Sequence, residues 1–147
     1  MSWQNLLDEN LVASHKTSKQ EVSKLRVMVD RNLQDANLPG LSTDNRFGLA
    51  YKAVLLTAKI AISCAGYRVK GQGAHRTTFV ALPLAMGSSI LQMSDYFNRC
   101  RRKRNELSYD NAGIITHSEA EELVLEAARF RNTVETWISE TYPQFKV

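Results

Sequence analysis

Between Ser42 and Gly66 the chain carries an apolar pattern that only a helix can gather onto one side. Phe47, Tyr51, Val54, Leu55, Ala58, Ile62 and Ala65 fall close together at about 100° per residue. Ala50, Ala53 and Ala61 widen that face with small side chains, so neighbouring helices can approach closely. The spacing predicts a central helix that starts at Ser42 or Thr43 and stops at Gly66. Only seven glycines and three prolines interrupt the 147 residues, which favours long helices over many short strands. With 44% hydrophobic and 23% charged residues the chain can bury one core under a charged surface. The expectation is a single helical-bundle domain over residues 1–147.

The remaining segments fit the same scheme. A first helical segment is expected from Ser2, as cap, to about His15, with Leu6, Leu7 and Leu11 on one face. A second opens on the capping box Ser18-x-x-Glu21, carries Val22, Leu25, Val29 and Leu33, and ends at Leu38-Pro39-Gly40. Tyr67 to Arg76 reads as a flexible, positive loop. Thr77 or Thr78 then caps a short helix, with Pro83 near its first turn and Gly87 near its end. A long helix is expected from about Ser89 to Tyr109, followed by a turn at Asp110–Gly113. The last helix opens on Ser118-x-x-Glu121, turns Leu123, Ala127, Val134, Trp137 and Ile138 inward, and closes at Tyr142-Pro143. Together these make an all-α, antiparallel up-and-down bundle of four to six helices.

Charge is more telling in its placement than in its sum. The net charge is +4, and five basic residues fall within Arg99–Arg104, the footprint of a phosphate-bearing partner. Cys64 and Cys100 both sit in apolar helical patterns, and no cysteine–histidine spacing suits a metal. The first residues lack the basic and apolar regions of a secretory leader. The apolar stretch Ala53–Ala65 is short for a bilayer and carries Lys59. A cytoplasmic protein without membrane contact, metal or cofactor is expected. Phosphate-cradling glycine loops, nucleophile elbows and zinc-binding His-Glu-x-x-His are all missing from the sequence.

Set on a helix, Ile90, Met93, Phe97, Cys100 and Leu107 share a face, and Arg104 falls in the middle of it. An arginine inside an apolar stripe is costly unless it is paired or faces a cleft. Arg101 lies at the stripe's edge, and Arg99 and Arg102 point away. Asn105 and Tyr109 follow Arg104 closely, so guanidinium, carboxamide and phenol are gathered near one helix end. Arginine can hold a phosphate bidentately, asparagine can orient a ribose hydroxyl, and tyrosine can stack or transfer a proton. Arg104, Asn105 and Tyr109 are therefore candidate catalytic residues for RNA cleavage. Arg99, Arg101, Arg102, His75 and Arg76 are candidate RNA- or nucleotide-binding residues. The same run also reads as a solvated helix face, with Arg104 paired to Glu121, Glu122 or Glu126, and His75 as a simple loop or cap residue.

The stretch Arg101-Arg102-Lys103-Arg104-Asn105-Glu106-Leu107-Ser108-Tyr109-Asp110 resembles the signature of the HEPN superfamily: arginine, often followed by asparagine, then histidine after a gap of four to six residues. The upstream stretch from Ala50-Tyr51 to Val69, and the segment Gly71-Gln72-Gly73-Ala74-His75-Arg76-Thr77-Thr78, is similar to a small stand-alone branch of that superfamily. The resemblance implies a homodimer whose motif residues meet at the interface as a composite ribonuclease site. It also implies a toxin or defence role, a nucleotidyltransferase-type antitoxin as partner, and metal-independent attack by the RNA 2′-hydroxyl. On that resemblance Arg104 binds and polarises the phosphate, and Asn105 orients the arginine or the sugar. Tyr109 stands where the family has histidine, and a phenol is a poor base near neutral pH. Three readings follow: Tyr109 is activated by Arg104 and Arg101, His75 supplies the imidazole, or the site only binds nucleotide, RNA or a protein partner.

Overall fold

The computed structural model describes residues 1–107 and 112–147. Six α-helices account for most of them, α1 Trp3–Asp8, α2 Lys19–Ala36, α3 Thr43–Cys64, α4 Ala74–Met86, α5 Leu91–Asn105 and α6 His117–Thr141, and the 73% helix content places the protein in the all-α class. Two three-residue strands, β1 Val12–Ser14 and β2 Tyr67–Val69, pair antiparallel, with Val12 opposite Val69 and Ser14 opposite Tyr67.

The central helix lies where the apolar stripe puts it. Ser42 Oγ accepts the Asn45 N–H at its start. Gly66, at φ +100°, turns the chain out of it through an N–H to Ser63 C=O bond. α3 packs against α2, α4, α5 and α6, and Ala50, Ala53, Ala58 and Ala61 are all buried in those contacts. By length and composition α3 would suffice to cross a bilayer, yet 67% of its apolar stretch is buried inside the bundle.

An aromatic chain ties the other helices to it. Phe97 of α5 lies 6.2 Å from Phe79 of α4, 5.5 Å from Tyr96 and 5.0 Å from Phe130 of α6, centroid to centroid. Phe130 and Ala120 join the expected inward residues of α6, while Trp137 is only half-buried. Arg26 of α2 donates Nε and Nη2 to the two oxygens of Glu135 on α6, at 2.9 and 2.8 Å.

Several expected boundaries move. The first helix ends at Asp8 rather than near His15. Asn10, at φ +60°, turns the chain into β1, whose pairing with β2 replaces helix hydrogen bonds. Trp3 stacks on Tyr67 at 4.0 Å and ties α1 to the strand pair. The expected loop from Tyr67 to Arg76 is thus a strand at one end and the first turn of α4 at the other. Gly73, at φ +70°, precedes that helix. Thr77 and Thr78 lie inside it and return their hydroxyls to the Gly73 and Ala74 carbonyls, at 3.2 and 2.8 Å. Ser18 caps α2, but the Glu21 side chain turns to His15 and Thr17 instead of closing the box. The cap of α6 lies two residues before the expected one, in a complete box between Thr116 and Glu119. α5 stops at Asn105.

Pro83 sits late in α4, not in its first turn. Having no N–H, it leaves the Phe79 carbonyl without its helical partner. The buried Ser94 hydroxyl of α5 donates to that carbonyl at 2.7 Å. Ser94→Ala is therefore expected to cost about 1–3 kcal/mol, because it strands a buried acceptor. Urea unfolding would read this as a lower midpoint at an unchanged slope.

Candidate functional site

The basic end of α5 behaves differently from the rest of that helix. Phe97 and Cys100 are buried, but Arg104, one turn beyond Cys100 on the same face, is exposed. Of the two arrangements expected for an arginine in that stripe, a pair or a cleft, Arg104 takes the second, on the wall of a shallow depression. The helical angle is as expected, but the residue lies at the end of α5, where the guanidinium reaches water. Its other side meets an aromatic face: Cζ lies 5.9 Å from the centroid of the Tyr51 ring, which is itself only 1% exposed. The alternative ion pair is absent as well. Glu121 and Glu126 pair with His117 and Arg129, both at 2.9 Å, and no described carboxylate lies within 4.0 Å of Arg104.

His75 reaches the same tyrosine from another element. Gly66, β2 and Gly73 lead the chain back along α3, and His75 falls in the first turn of α4. Its Nδ1 is 3.4 Å from Tyr51 Oη, and the two rings are 5.9 Å apart. Half-buried Arg101 donates its Nε to Asn98 Oδ1 at 2.8 Å and lies near enough for its charge to act on both Tyr51 and His75.

The electrostatics favour a neutral imidazole and a protonated phenol. Partial burial holds the His75 pKa below its ordinary 6.5, and the Arg104 and Arg101 charges push it the same way. Burial drives the Tyr51 phenol well above its ordinary value, against the opposing pull of Arg101 and Arg104. The first turn of α4 adds to the positive field. It carries the Arg76 charge and no acid at the positive end of the helix dipole, where a bound anion would be favourable.

Two depressions border this cluster. A shallow one of about 890 Å³ lies between the start of α3, the end of α5 and the segment before α6, with Arg104 and Leu107 on its wall. A deeper groove of about 590 Å³ runs between α2, α3, β2 and the start of α4, with His75 at one end. Lys52 of α3 lines both.

Other expected site residues are dispersed. Arg76 is exposed in the same turn as His75, and Arg102 is exposed in the last turn of α5. Arg99 lies over Tyr96, 5.8 Å from its centroid, in a cleft between α5 and α6 that also holds Lys103 and Glu119. Asn105 is the exposed last residue of α5. Tyr109 lies outside the described residues. Sequence reasoning overlooked Tyr51 and Lys52. The signal for Tyr51 was a phenol in an otherwise apolar stripe, whose hydroxyl needs a partner when buried. Among the described residues no three His, Cys, Asp or Glu side chains gather as a metal site.

Compared with known proteins, the chain matches no family model, no curated protein and no solved structure.

The neutral imidazole is open to direct measurement. Followed by the NMR shift of its ring protons, His75 is expected to titrate below pH 6.5. In Arg101→Ala its midpoint should rise, because removing a neighbouring cation removes a repulsion felt only by the imidazolium. A midpoint at or above 6.5 in the unaltered protein would contradict the arrangement.

Proposed function

We propose that this protein is an endoribonuclease whose chemistry needs no metal, with Arg104 and Arg101 holding the phosphodiester and His75 accepting the 2′-hydroxyl proton. The observation that carries the reading is the meeting of an exposed arginine and a neutral imidazole on one buried tyrosine. An imidazole near neutral pH is a competent base, and a guanidinium stabilises charge developing on a phosphate. The base role requires the tautomer in which Nδ1–H donates to Tyr51 Oη, leaving the Nε2 lone pair free. In this arrangement His75, rather than Tyr109, supplies the imidazole that the HEPN resemblance demands. The 2′-oxygen attacks phosphorus as its proton passes to Nε2, the P–O5′ bond breaks, and the 5′-oxygen takes a proton from solvent, so one product carries a 2′,3′-cyclic phosphate and the other a 5′-hydroxyl.

The resemblance supplies the rest of the proposal: a homodimer, a toxin or defence role and a nucleotidyltransferase-type partner. A reducing cytoplasm suits the buried thiols of Cys64 and Cys100, both pushed up to about 11 by burial. The test is cleavage of a labelled RNA in EDTA, with product ends identified. His75→Ala is expected to lower kcat/KM about 10²–10⁴-fold. Cleavage that survives this change, or that yields 3′-hydroxyl ends, would refute the assignment.

A second reading, binding of RNA or nucleotide without cleavage, is favoured by the exposure of both Arg104 and His75. RNA affinity that depends on Arg104, with no cleavage of any substrate, would select it.

A further inference from the structure

The groove beside the cluster has a composition that the phosphodiester chemistry alone does not use. Along one stripe of α3 lie Lys52, Leu55, Leu56 and Lys59, all lining the groove. The two lysines are exposed and two helical turns apart, about 10.5 Å along the axis, with the half-buried leucines between them. Arg68, exposed on β2, also lines it. Among the described residues the one carboxylate lining the groove is Glu21, which already accepts from His15 at 2.7 Å and Thr17 at 2.9 Å. The result is an apolar floor flanked by cations, in a volume of about 590 Å³ that suits a small organic ligand.

We propose that this groove holds the nucleotide of single-stranded RNA adjacent to the scissile phosphate, its base against Leu55 and Leu56 and its outer phosphate on Lys59 and Arg68. The inference rests on the endoribonuclease reading and deepens it by naming the substrate as an unpaired strand. Three features favour RNA as occupant. The groove runs into the cluster through His75 and Lys52, so a strand bound at Arg104 continues into it. Its free charge is positive. Its apolar floor lies between cations, as the alternation of bases and phosphates in a strand requires. A paired helix would keep its bases stacked inside and leave the floor empty.

The experiment measures the affinity of an uncleavable, fluorescent 2′-fluoro single strand by anisotropy over a range of salt. The proteins compared are the unaltered chain, Arg104→Ala, and the double variant Lys59→Ala with Arg68→Ala. The double variant is expected to bind about tenfold more weakly. Its log–log salt slope should be shallower by about 1.4, that is two phosphate contacts at about 0.7 each. Its thermal midpoint should be unchanged, because both side chains are exposed. Affinity lost in Arg104→Ala but unchanged in the double variant would overturn the groove assignment and leave the endoribonuclease site standing. No binding by the unaltered chain would overturn both. Displacement by poly-glutamate as strong as by RNA of equal charge would assign the groove to an acidic peptide and overturn the RNA subsite.

Discussion

Arg104→Ala is expected to lower RNA cleavage by about 10²–10³-fold while leaving stability nearly unchanged. The two halves of this expectation come from one geometry. Arg104 is exposed and has no described carboxylate partner, so among the described residues its loss removes a contact with the Tyr51 ring, worth about 0.5–1 kcal/mol at an exposed site. The same isolation leaves the guanidinium's donors available to a phosphate. Arg104→Lys should recover part of the activity, since it keeps the charge but loses the bidentate fork. Kinetics on both variants beside thermal melts would check this. A loss of several kcal/mol in stability would instead make Arg104 a structural residue. Unchanged cleavage would remove it from the site.

The largest effect on stability is expected at Phe97. Phe97→Ala should cost about 4 kcal/mol, in the range for truncating a buried aromatic, and lower the melting temperature by roughly 8–16 °C. Phe97 is 0% exposed and meets rings from α4 and α6 as well as its neighbour Tyr96. Its removal leaves a cavity where three helices converge, and neighbours this closely tied cannot collapse into it cheaply. The change also loosens the anchoring of α5 just before the basic run, so cleavage should fall even in molecules that remain folded. Calorimetry with parallel urea titrations would measure it. A cost below about 1 kcal/mol would show that the junction repacks.

The central helix was legible because its signals are local. The stripe from Phe47 to Ala65 gives the angle of each side chain about the helix axis, Ser42 supplies a cap, and Gly66 a residue that tolerates positive φ. Scarcity of glycine and proline set the all-α class for the same reason. Other features depend on partners distant in sequence. The β1–β2 pairing joins Val12 to Val69, and three-residue strands carry too little periodicity to be seen alone. Thr77 and Thr78 look like caps, but inside a helix their hydroxyls return to carbonyls four residues back. Pro83 reads as a first-turn residue, since the sequence does not reveal that Ser94 waits for the carbonyl it frees.

The candidate site divides along the same line. The residues alone place a dense basic run at the end of a helix and Arg104 on a face with Phe97 and Cys100. Helix packing is what brings this face into solvent at Arg104, sets the buried Tyr51 beneath it and delivers His75 there from α4. Periodicity reports an angle around one axis. Depth and neighbours depend on how separate axes cross, and that is fixed by packing across the whole bundle.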